Sequence, residues 1–197
     1  MQLIIKLPPQ LIKLLNMLSD FRLQKVKRVF EFYDANGNGV LDLDDIDGIC
    51  DHFAEQFGWT VGGERDSNFR TAFTLHWNNL IHIADENKDG VVSEEEFISY
   101  YVLALANDKN YYRFIKPFFD DIFPIIDSDD DGVLSKEDYT AFFRSFRNSQ
   151  SDAEAAFDNM DQNNDGVISH YELYTMYYHF HMSEDENDGS QSFYGKL

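Results

Sequence analysis

Cysteine is almost missing from this chain. Its one representative, Cys50, cannot close an internal disulfide, so a disulfide scaffold is excluded. A buried structural thiol in a reducing compartment is expected, since a redox role would need exposure and a lowered pKa. Basic side chains are scarce too: 16 Lys and Arg stand against 36 Asp and Glu, for a formal charge of −20. No basic surface stands out that would release counterions from phosphates, and no nucleic acid partner is expected. No uninterrupted apolar run approaches the roughly 18 residues of a membrane span. The charged start and small-residue cleavage site of a signal peptide are missing, so a cytoplasmic location is expected. There is no nucleophile–base pattern, phosphate-cradling glycine loop or zinc signature, and no enzyme is expected.

What the chain has instead is acid, and the acid is ordered. The stretch DENKDGVVSEEE sets Asp85 at position 1, Asn87 at 3, Asp89 at 5, Gly90 at 6, Val91 at 7, Ser93 at 9 and Glu96 at 12. A hard divalent cation wants six to eight oxygens at about 2.3–2.6 Å, and a loop coiling round it aims side chains 1, 3 and 5 inward. Val91 offers its backbone carbonyl. Gly90 makes a sharp turn that a Cβ would hinder. Glu96 is long enough to close the shell with both oxygens. This is the EF-hand calcium loop in full.

The loop occurs four times. Asp161, Asn163, Asp165, Gly166, Val167, Ser169 and Glu172 match it as fully. Asp127, Asp129, Asp131, Gly132, Val133 and Ser135 match up to position 12, where Asp138 stands. Asp34, Asn36, Asn38, Gly39, Val40 and Asp42 likewise end in Asp45. Aspartate is one methylene shorter than glutamate. Unless the loop tightens, it leaves a six-oxygen shell, which favours Mg²⁺ relative to Ca²⁺. The loops ending in Glu96 and Glu172 are therefore expected to be the stronger Ca²⁺ sites, and those ending in Asp45 and Asp138 weaker ones or Mg²⁺ sites. Four bound dications would cancel eight of the negative charges, so the acidity is largely the sites waiting for counter-ions.

The flanks repeat with the loops. One, four, five and eight residues before position 1, and the same distances after position 12, every residue is apolar or aromatic. That is one stripe of an amphipathic helix on each side of each loop. Position 8 is Leu41, Val92, Leu134 or Ile168, a β-former suited to a short strand between paired loops. The fold expected is all-α, two helix–loop–helix pairs packed into a compact globule.

The pairs are placed at 19–106 and 107–182, between an N-terminal extension (1–18) and a tail (183–197). The extension is apolar, interrupted by Pro8-Pro9; packing on the core or disorder, a second start at Met17, and docking of residues 11–18 on a membrane or in another protein's groove are the readings open for it. Ser19 or Asp20 is expected to cap the first helix, whose Arg22, Lys25, Lys27 and Arg28 form a solvated basic face. The loop around Gly58, Gly62, Gly63 and Asp66 predicts a helix resuming near Ser67 or Asn68. A break at Asn107–Asn110 marks the boundary between pairs. Pro117 and Pro124 are expected to interrupt the third entering helix, and Ser151 with Glu154 to form a capping box. His179 and His181 read as surface histidines. In the tail, an acidic run precedes Phe193-Tyr194, an apolar patch that predicts a latch folded back onto the core.

Four such loops, a long first linker, the start Leu18-Ser19-Asp20-Phe21 and the ending Phe193-Tyr194-Gly195-Lys196-Leu197 resemble the sarcoplasmic calcium-binding proteins and calexcitins of invertebrates. The resemblance implies a compact, all-helical cytosolic calcium binder with its pairs packed against one another. Members commonly lose a site, whereas all four loops keep acceptable ligands here. Coelenterazine-binding proteins and photoproteins are relatives of that family; photoproteins end in proline, and Leu197 weighs against luminescence. Three functions follow as expectations. A Ca²⁺ (and Mg²⁺) buffer comes first, then a sensor that docks a protein target, then a carrier of an aromatic small molecule.

Overall fold

The computed structural model describes residues 18–194. Of the extension, only Leu18 falls among them, partly buried against the core. Nine helices and four two-residue strands make up the described chain: α1 (Asp20–Tyr33), β1 (Val40–Leu41), α2 (Leu43–Gln56), α3 (Glu64–Ala84), β2 (Val92–Ser93), α4 (Glu94–Ala104), α5 (Asp108–Phe114), α6 (Lys116–Ile126), β3 (Val133–Leu134), α7 (Lys136–Arg144), α8 (Gln150–Met160), β4 (Ile168–Ser169) and α9 (His170–Met182). A 3₁₀ turn, Ser190–Ser192, follows. Among the described residues no helix is long and apolar enough to cross a membrane.

The apolar stripes become the core. All the stripe residues are buried except Ile81 and Phe146, which are partly buried against the same cluster. The strands pair antiparallel, β1 with β2 and β3 with β4. Leu41 faces Val92 and Leu134 faces Ile168, so position 8 meets position 8, as the β-formers there predict. All four of these side chains are buried. Aromatic contacts then join one half to the other: Phe32 stacks on Phe146 at 3.6 Å, Phe53 meets Phe146 edge-on at 5.0 Å, and Phe73 meets Phe118 at 5.5 Å.

Several helix ends differ from expectation, each for a local reason. Ser19 caps α1 through the Arg22 N–H. Helix α3 begins at Glu64, ahead of Ser67, because Asp66 reaches back to accept the Gly62 N–H at 2.7 Å. Pro117 does not interrupt α6; it lies in the first turn, where its missing N–H would have had no partner anyway. Pro124 stands inside that helix, which continues to Ile126. Ser149, not Ser151, caps α8 by accepting the Asp152 N–H. Asn107 caps α5 at the expected break.

Two cations of the basic face of α1, Arg22 and Lys25, are not solvated, while Lys27 stays half-exposed. Lys25 is 2 % exposed. Its ammonium donates to the Ser183 carbonyl at 3.1 Å and lies over the rings of Phe21 and Phe180, and burial lowers its pKa. Arg22 donates to the Met182 carbonyl at 2.6 Å and pairs with Glu184 at 3.0 Å. Ser19 also hydrogen-bonds Glu184. These cations seat the start of the tail, and the tail then turns inward. Phe193 packs on Tyr177 and Phe180, and Tyr194 on Phe32 and Phe180. The latch read from the sequence is present.

His181 is the other departure. It is 2 % exposed, set among Tyr101, Tyr177, Phe180 and Tyr194. Its Nδ1 lies 2.8 Å from the Tyr177 carbonyl, to which an N–H there donates, while Nε2 has no partner. Burial pushes its pKa down to about 3. Only His179 of the pair is half-exposed. Cys50 is buried, as expected, and burial pushes its thiol up to about 12.

Candidate metal centres

Each loop starts where an entering helix ends. The position-1 residues Asp34, Asp85, Asp127 and Asp161 donate their N–H groups to the carbonyls of Phe30, Ile81, Phe123 and Phe157. That bond fixes the backbone and turns the carboxylate into the loop. There it accepts the N–H of the position-6 glycine, at 3.0 Å for Gly39, 3.1 Å for Gly90 and 2.9 Å for Gly132 and Gly166. These glycines sit at φ between +84° and +91°, where a Cβ would be strained.

Position 4 is left-handed as well. Gly37 occupies it in the first loop, but Lys88, Asp130 and Asn164 do so in the others, at φ +63°, +60° and +58°. A non-glycine residue held there costs roughly 1 kcal/mol or more. What holds it is a ring of short side chain-to-backbone bonds. The position-5 side chains Asn38, Asp89, Asp131 and Asp165 accept the N–H groups of Val40, Val91, Val133 and Val167 at 2.9–3.1 Å. Asn36, Asn87 and Asn163 at position 3 accept from position 5 at 2.8–2.9 Å. Backbone donors thus orient the oxygens of positions 1 and 5 in all four loops, and of position 3 in the first, second and fourth.

The closing residues come from the first turns of the exiting helices. Ser93, Ser135 and Ser169 are N-caps in capping boxes with Glu96, Asp138 and Glu172, and Asp42 plays the same part with Asp45. Each serine hydroxyl donates to its position-12 carboxylate at 2.7–2.8 Å. Glu96 and Glu172 use the other oxygen to accept the position-3 N–H, at 3.4 Å in both loops. They therefore bridge the two arms of the loop.

The two aspartates at position 12 are not equivalent. Asp45 is fully buried and bridges as a glutamate does, accepting from Asn36 at 3.1 Å and from Asp42 at 3.0 Å. The shorter side chain thus still spans the first loop. Burial pushes the Asp45 carboxyl above the usual carboxylate range, against the pull of those two N–H groups. Asp138 accepts only from Ser135, and among the described residues no bond links it to the entering arm. The third loop compensates in charge: Asp127, Asp129 and Asp131 bring carboxylate oxygens within 4.8 Å of one another. Like charges that close repel one another unless a cation sits among them.

The residues present fit a hard dication. The donors are all oxygen, which selects Ca²⁺ or Mg²⁺ over zinc or copper. Every sequence-identified side chain of positions 1, 3, 5 and 12 lies in its loop as expected. Position 9 is the exception in kind, since its side chain is occupied in capping the exit helix.

The family model for the EF-hand domain pair matches residues 23–102 and 119–178, well over half of the chain. Calerythrin of Saccharopolyspora erythraea is 27% identical over 159 residues, covering 80% of this chain and 90% of its own length. Sarcoplasmic calcium-binding proteins I, III and IV of Branchiostoma lanceolatum are 29% identical over 94 residues, 47% of this chain and 51% of theirs. Among solved structures, the Ca-loaded apo form of the coelenterazine-binding protein from Renilla muelleri superposes with a TM-score of 0.72 at 22% identity, covering 91% of this chain and 100% of that one. A calcium-binding protein of Streptomyces coelicolor superposes at 0.68 and 21% identity, covering 83% and 99%. With four loops that share the position-1 to position-6 bond and are paired two by two, and that family matched across both pairs, the chain belongs to the EF-hand domain pair family and is a Ca²⁺-binding protein.

Proposed function

We propose that the protein is a cytosolic Ca²⁺ buffer, with Mg²⁺ competing at the third loop. The observation that carries this reading is the filled, latched interior. Phe193 and Tyr194, 4 % and 3 % exposed, occupy the apolar face that a sensor would open to a target. Sensors expose such a groove on binding, while buffers barely open. The space among Phe118, Phe119, Ile122, Phe142, Tyr177 and Phe193 is about 10 Å³, close to what one water needs. That weighs against a carrier of an aromatic small molecule.

In this reading the ligands are the side chains of positions 1, 3, 5 and 12 and the carbonyl of position 7. At Ser93, Ser135 and Ser169 position 9 contributes through a water, as the hydroxyl is held by the closing carboxylate. Residues 19–106 and 107–182 are the two binding units, each coupled through its own pair of strands. The sarcoplasmic proteins of Branchiostoma, calcium binders by name, support the same class. The test is a calorimetric Ca²⁺ titration at millimolar Mg²⁺, with a hydrophobic dye in a parallel sample. Tight binding with flat dye fluorescence is expected. Fluorescence that rises as the loops fill would make the protein a sensor.

A further inference from the structure

One cation reaches into a loop from the other half of the molecule. Arg65, near the start of α3, donates from Nη1 to the carbonyls of Ile125 and Asp127, at 3.4 and 3.2 Å. Its Nη2 donates to the Ser128 carbonyl at 2.7 Å and pairs with the Asp130 carboxylate at 3.4 Å. The guanidinium thus caps the C-terminal end of α6 and touches positions 1, 2 and 4 of the third loop. Arginine suits this end, where carbonyls lack helical donors and the dipole is negative. Among the described residues, no Lys or Arg side chain bonds a carbonyl of the other three loops. The segment that carries Arg65 belongs to the long linker between the first two loops, which the repeat pattern leaves without a task.

We infer that Arg65 is an affinity-setting residue for the third loop, a built-in counter-cation that offsets the charge of the ion-free loop and competes with the ion. The inference rests on the third loop being a Ca²⁺ site. This loop is the one in which Asp127, Asp129 and Asp131 already crowd within 4.8 Å. Without an ion those charges repel, and the guanidinium relieves part of the repulsion. With a dication in place the same guanidinium is a like charge beside it. Both effects act against binding, and both fall off with salt because Arg65 and Asp130 are 36 % and 75 % exposed. The consequence is a third loop weaker than its carboxylate count implies, with its entry strand tied to the first half of the molecule.

Four amides report the four loops separately, since Gly39, Gly90, Gly132 and Gly166 each donate to their own position-1 carboxylate. The test follows these amides by NMR during a Ca²⁺ titration of the full chain, in wild type, Arg65→Gln and Arg65→Lys. Arg65→Gln is expected to move the Gly132 midpoint to about threefold lower Ca²⁺ at low salt. In 1 M KCl, where the screening length is about 3 Å, the difference should largely vanish. Arg65→Lys keeps the charge and should stay close to wild type, and the Gly39, Gly90 and Gly166 midpoints should not move. An unchanged or raised Gly132 midpoint in Arg65→Gln overturns the inference, as does a shift of Arg65→Lys together with Arg65→Gln. If Gly132 never responds in the wild type, the calcium reading of the third loop is what fails.

Discussion

At the scale of single residues, one methylene separates the four closing carboxylates, yet the two aspartates behave differently. Asp45 already bridges both arms of its loop, and Asp138 does not. Asp138→Glu should let the third loop gain an oxygen and raise its Ca²⁺ affinity about tenfold, a change of about 1.4 kcal/mol. Asp45→Glu adds volume at a fully buried position and should bring no gain. Calorimetric titration of both variants with Ca²⁺ and Mg²⁺ checks the pair, and equal effects would contradict the geometry. His181 makes a second residue-scale case. Its pKa is pushed from about 6.5 in an unfolded chain to about 3 in the folded one. Between those values the unfolded chain takes up a proton that the folded one refuses. Stability is then full above pH 6.5 and falls as pH drops toward 3, by up to about 1.4 kcal/mol per unit. His181→Phe keeps a ring among Tyr101, Tyr177 and Tyr194 and should lose that slope, by roughly 2 kcal/mol between pH 7 and 5. Urea unfolding at the two pH values, with Ca²⁺ saturating, measures it.

At the scale of elements, helix, loop and strand follow from short-range rules that the sequence displays openly. The apolar stripes give the helices their buried faces, the αL glycines give the turns, and the β-formers at position 8 give the strand register. Helix ends are harder to read, because Asp66 capping backward onto Gly62 competes with Ser67 and Asn68 as the start of α3. In the same way Ser149 prevails over Ser151 at α8. The tail is an element whose role depends on what it meets. Removing its anchor by Phe193→Ala should cost about 3 kcal/mol, in the range for truncating a buried phenylalanine. It should also raise hydrophobic-dye fluorescence in the Ca²⁺-loaded form. A variant as stable as the parent, with a dark dye, would mean the latch closes nothing.

At the scale of the whole molecule, the two pairs share one contiguous apolar cluster. Rings from the first half interleave with rings from the second, with Phe32 against Phe146 and Phe53 against Phe142 and Phe146. Neither half can open without exposing the other's aromatic surface. Heating the Ca²⁺-saturated protein should therefore give one calorimetric transition whose van't Hoff and calorimetric enthalpies agree. Two resolved peaks would mean that the pairs unfold as separate bodies.

The metal centres are local objects. Twelve contiguous residues supply the oxygens, the turns and the closing carboxylate of each candidate centre, so sequence alone determined where the loops are and that they offer oxygen donors. It determined the helices and the strand register for the same reason, since periodicity is a property of neighbours. Tertiary structure decided what depends on distant partners. It turned Lys25 and Arg22 from a solvated face into the seat of the tail, and buried His181 among aromatic rings. It let Asp45 close its loop where Asp138 does not. It also carried Arg65 from a linker to the third loop, because hydrogen bonds and burial between residues sixty positions apart leave no periodic mark on either segment.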